Sequence, residues 1–140
     1  MASDQVGIAR RIYDEMIGEG NMDVVDEVLH DDFVEHEAMP DMPTGKDAPK
    51  AMMAMLREAF PDLRAEVDDT IEQGNKLAVR CRFLGTHQGE FMGVPATGRS
   101  IEINVMDVLE FEGDQVIAHW GVMDSAGLME QLGADGPPGQ

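Results

Sequence analysis

The stretch "RSIEINVMDVLEFEGDQVIAHWGVMD", residues 99–124, alternates apolar and polar side chains on both sides of Gly113-Asp114. That is the period of two expected of an antiparallel hairpin with a tight turn. If Phe111 faces Val116 across the turn, paired positions sum to 227 and share a face. One face then carries Ile101, Ile103, Val105, Asp107, Leu109 and Phe111 with Val116, Ala118, Trp120, Val122 and Asp124. The other carries Glu102, Asn104, Met106, Val108 and Glu110 with Ile117, His119, Gly121 and Met123. The first face is the more apolar and is expected to point into the core. Its two acids, Asp107 and Asp124, must there be hydrogen-bonded or used as acid/base groups.

Upstream, residues 63–71 and 76–87 also alternate. Leu77, Val79, Cys81, Phe83 and His87 fall on one side of the second of these; Arg80 and Arg82 take the other, where they are expected to be solvated or ion-paired. Before residue 60 the pattern is helical. Ile8, Ile12, Met16 and Ile17 mark a helix over 4–18, with Ser3 as its expected cap. A second begins at Asn21 and carries Val24, Val25, Val28 and Leu29; "DDFVEHEAMPDMPTG" then breaks periodicity. A third, with Pro49 in its first turn, carries Met52, Met55, Leu56 and Ala59 on one side. Helices first and an antiparallel sheet afterwards is the α+β arrangement. One domain over 1–133 and a flexible Gly/Pro-rich tail over 134–140 are expected.

Composition narrows the partners. The 140 residues hold 28 acidic and 10 basic side chains, a formal charge of −18. A surface of that sign disfavours nucleic acid and anionic membranes; solubility and attraction of a cationic ligand both remain open. No apolar run approaches the ~18 residues of a membrane span, and a cytoplasmic location is the default expectation. Cys81 is alone, so no internal disulfide is possible. His36, His87 and the acids lack metal-ligand spacing, and neither metal nor cofactor is expected.

Four blocks, "FVEHE", "AFPDLRAEVDDTI", "FLGTHQGEFMGVPATGRSIEI" and "VIAHWGVMDSAGLMEQLG", taken in this order and spacing, resemble the SnoaL-like polyketide (ester) cyclases of the nuclear-transport-factor-2-like superfamily. The likeness runs from about residue 8 to 133, with Ala96 where the family usually has a second proline. It implies a curved antiparallel sheet wrapped around helices as a cone, with a cavity between them. It also implies a homodimer through the outer sheet face, where Met106, Val108, Ile117 and Met123 would be covered. The activity implied is cofactor-free intramolecular aldol closure of an aromatic polyketide ester.

Asp124 matches the family's acid/base aspartate, although Asp is also a favoured helix cap. His36 matches a pocket histidine that could hold an enolate oxygen or a carbonyl. Trp120 would pave the cavity and His87 its rim. Phe33, Met52 and Met55 would contact a flat hydrophobic substrate. Asp107 joins that wall, as a buried acid paired with an arginine. Other proton-transfer chemistry on this fold is an alternative; an epoxide-hydrolase Asp-Arg-Asp set would need Arg80 or Arg82 to point inward. A non-catalytic carrier of a hydrophobic ligand is the remaining alternative.

Overall fold

The structure is a computed structural model, and it describes residues 4–37 and 41–133. The expected Ser3 cap and the 134–140 tail lie outside these residues. The first helix, α1 (Gln5–Arg11), is capped by Asp4, which accepts from Gly7 N at 3.0 Å. It runs into a π-helical segment, Ile12–Ile17, which buries Ile12, Tyr13, Met16 and Ile17. Such wider turns recur at functional sites. Next come α2 (Asp23–Val28), with Val24, Val25 and Val28 buried, and α3 (Asp47–Ala59), with Met53, Leu56 and Ala59 buried. Burying one Leu or Met side chain contributes roughly 2 kcal/mol, so these residues hold the helices against the sheet.

The sheet has five strands: β1 (Leu29–Glu35), β2 (Arg64–Gln73), β3 (Lys76–Thr86), β4 (Ser100–Glu112) and β5 (Gln115–Met123). Their spatial order is β1-β5-β4-β3-β2. Four strands form the expected antiparallel run; the short helix α4 (Ser125–Gln131) closes the fold.

Two sequence expectations need correction here. First, β1 is a strand, where the pattern showed only a break in periodicity, and it pairs parallel to β5 through Leu29↔Val116 and Glu35↔His119. The sheet is therefore mixed. Asp31 and Asp32 disguise the strand because Asp is a poor strand former. They are exposed at the sheet edge, while Leu29 and Phe33 are buried.

Second, the hairpin keeps the expected register only at Phe111↔Val116 and Glu112↔Gln115. Ile117 is an extra residue, a β-bulge, and from Glu110↔Ala118 onward paired positions sum to 228. A one-residue shift exchanges the faces of a strand. Leu109↔His119, Asp107↔Gly121 and Val105↔Met123 consequently share the inner face. Trp120 and Val122 go to the outer face opposite Val108 and Met106. Val122 and Met106 are exposed there.

On β3 the expected faces hold: Leu77, Val79, Cys81 and Phe83 are buried. Arg82 lies outside, bound to Asp68, Glu66 and Glu102 at 2.8–2.9 Å. Neither arginine faces inward, so an Asp-Arg-Asp set is not assembled. Among the described residues no helix is long and apolar enough to cross a membrane.

Candidate functional site

Between the π-helical segment, α3 and the inner face of the sheet lies a cavity of about 390 Å³. Its wall is mostly apolar: Ile12, Met16, Phe33, Met52, Met53 and Leu56 are among the residues that line it. The inner faces of β4 and β5, the end of β1 and the π-helical segment contribute a connected set of polar groups. Tyr13 Oη donates to Asp107 Oδ2 at 2.7 Å. His119 Nε2 lies 2.8 Å from Asp107 Oδ1, and Nδ1 lies 2.5 Å from Glu35 Oε2. Glu37 N also donates to Glu35 Oε2, at 3.2 Å, and among the described residues Glu35 Oε1 receives no hydrogen bond.

The electrostatics follow from this geometry. Burial by itself would push the His119 imidazole down, but hydrogen bonds to Asp107 and Glu35, and their negative charges, outweigh it and raise its pKa to about 10. At neutral pH His119 is therefore an imidazolium donating through both nitrogens. Burial, and then the charge and hydrogen bond of Asp107, raise the Tyr13 phenol well above its usual range, so it stays a donor. A ring that donates from both nitrogens offers no lone pair to a metal. The described residues hold no group of three or more His, Cys, Asp or Glu arranged around one.

Of the expected site residues, Phe33, Met52 and Asp107 line this cavity. Asp107 is buried as expected, but its partners are His119 and Tyr13 rather than an arginine. The others sit elsewhere. Asp124 is exposed and caps α4, accepting from Gly127 N at 2.9 Å; it therefore lacks the apolar enclosure expected for an acid/base group. His36 is exposed on the outer side, stacked on Trp120 with ring centroids 4.3 Å apart and planes within 4°. Lys76 Nζ lies 5.7 Å from the Trp120 centroid. The bulge is the reason Trp120 is outside.

His87 is fully buried, but its Nδ1 accepts from Thr97 N at 3.2 Å and meets Thr97 Oγ1 at 3.0 Å. It thus ties down the loop between β3 and β4 instead of lining the cavity. Met55 is half-buried against the core outside the cavity wall.

Tyr13, Glu35 and His119 were missed by sequence reasoning. Tyr13 carried a signal: it lies three and four residues before Met16 and Ile17, on the same helical face. Glu35 carried a weaker one, two residues beyond Phe33 in what proves to be a strand. His119 carried none, since its face depends on the bulge.

The SnoaL-like polyketide cyclase family model matches residues 7–132. The chain is 27% identical over 138 residues to the aklanonic acid methyl ester cyclase DnrD of Streptomyces peucetius, covering 96% of this chain and 94% of that one. Among solved structures, TsrD from Streptomyces laurentii is similar with a TM-score of 0.86 at 27% identity, over 96% of this chain and 98% of that one. IdmH from Streptomyces antibioticus is similar at 0.82 and 28%, over 93% and 99%. The chain belongs to the SnoaL-like polyketide cyclase family.

Proposed function

We propose, from that membership, that the protein is a cofactor-independent cyclase that closes a ring in a polyketide-like ester by an intramolecular aldol-type step. The observation that carries the reading is the polar chain Tyr13–Asp107–His119–Glu35 set in an otherwise apolar cavity. Glu35 takes the acid/base role. Its Oε1 removes a proton from a substrate carbon flanked by carbonyls. The enolate carbon then bonds to a second carbonyl carbon, whose π pair moves to oxygen. That oxygen recovers the proton from the Glu35 carboxylic acid, leaving a ring alcohol, with no electron or group left over.

The His119 imidazolium keeps both its N–H bonds and acts through its charge, which offsets that of the enolate. Asp107 and Tyr13 hold it in place. Holding the flexible chain folded contributes the orientation part of the rate; the positioned proton transfer adds about 10²–10⁴-fold.

Ring closure of aklanonic acid methyl ester, followed by absorbance and product chromatography, tests this with wild type, Glu35→Gln and Asp124→Asn. Expected are turnover by wild type, a loss of about 100-fold or more in Glu35→Gln, and activity within a few-fold of wild type in Asp124→Asn. Loss in Asp124→Asn with retention in Glu35→Gln would return the acid/base role to Asp124. Binding of the ester by wild type without turnover would favour a ligand-carrying role.

A further inference from the structure

We propose that Gly121 is a positioning residue of the cavity: its missing side chain leaves the room in which Asp107 and His119 meet. The inference builds on the role given above to the Asp107–His119 pair, but its geometry stands apart from any reaction.

Gly121 lies inside β5, two residues before its end, directly opposite Asp107 on β4. It lines the cavity and has no left-handed φ, so backbone conformation does not call for glycine here. Glycine inside a strand weakens the strand, and it often marks a place where another group comes close. That group is identifiable. A Cβ built on Gly121 would overlap Asp107 Oδ1, and would lie 2.8 Å from His119 Nε2 and 3.0 Å from His119 Cε1. These are the atoms of the Asp107–His119 hydrogen bond itself.

The obstacles are the ends of side chains, not backbone, so an alanine at this point has a way to fit: Asp107 turns away. The fold survives and the pair does not. In the wild type Asp107 is also held by Tyr13, and His119 also by Glu35. The charged groups facing the ring from each packed element are thus Glu35 on β1 and Asp107 on β4, the latter also bound by the Tyr13 phenol.

The test is an NMR titration of the four histidine rings in wild type and Gly121→Ala, with His119 assigned by its loss in His119→Gln. In Gly121→Ala the His119 midpoint should fall by at least one pH unit from its wild-type position, as it should in Asp107→Asn. The double variant Gly121→Ala/Asp107→Asn should add nothing further. An unchanged His119 midpoint in folded Gly121→Ala overturns the proposal, whatever happens to turnover. A fallen midpoint with full turnover of the ester supports the proposal for Gly121 and refutes the catalytic use of the pair.

If Gly121→Ala does not fold, adding it to folded Asp107→Ala/His119→Ala, from which both obstacles have been removed, decides. Recovery of the fold supports the clash, and failure to recover overturns it.

Discussion

Replacing His119 by glutamine should remove a specific pH dependence of stability. The flanking carboxylates push the native ring up to about 10, against 6.5 for an ordinary histidine. Its contribution is therefore complete below about pH 6.5 and drains away as pH rises toward 10, because the native state holds a proton that the unfolded state has lost. Each pH unit in that window costs about 1.4 kcal/mol, so from pH 7 to pH 9 wild type should lose roughly 2–3 kcal/mol through this group alone.

The buried Cys81 thiol, raised from 9 to about 12, works in the same direction as the unfolded thiol ionises. It is present in both proteins and cancels in their difference. Urea unfolding of wild type and His119→Gln at pH 7, 8 and 9, followed by circular dichroism, measures that difference. With a slope of about 1–3 kcal/mol per molar urea, the wild-type midpoint should fall by about 1–3 M more than that of the variant. Equal falls in the two proteins would refute a charged His119 clamped between Glu35 and Asp107.

Tyr13→Phe leaves Asp107 Oδ2 without its buried donor. It should cost about 1.5–3 kcal/mol in urea unfolding at pH 7, and an unchanged midpoint would show that the bond carries no weight. Asp124→Ala should cost about 1 kcal/mol through the lost cap of α4, whereas Asp124→Asn, an equal cap, should unfold within a few tenths of wild type. The outer face exposes Met106 and Val122 beside Trp120, and the homodimer expected there would bury them. Val122→Lys should then convert a dimer to a monomer in sedimentation, while a monomeric wild type would remove that expectation.

Hydrophobic periodicity by itself determined the α+β class, three of the helical segments, the four antiparallel strands and the buried face of β3. These are local properties: each apolar residue reports its own element's period, whatever the rest of the chain does. The motif blocks determined the family, since they record order and spacing along the chain. What only the tertiary structure decided is which carboxylates and which histidine share the cavity. Glu35 enters through a strand whose pairing with β5 spans some eighty residues and whose acids hide its pattern. His119 enters, and Trp120 leaves, because Ile117 adds one residue between the turn and the site. Alternation along a strand says which residues share a side; only the partner strand, counted past the bulge, says which side is inside. Asp124 is the converse case, a residue for which the sequence allowed both a cap and an acid/base group. Folding placed its carboxylate on the N–H of Gly127 in solvent and left the enclosed acids to Asp107 and Glu35.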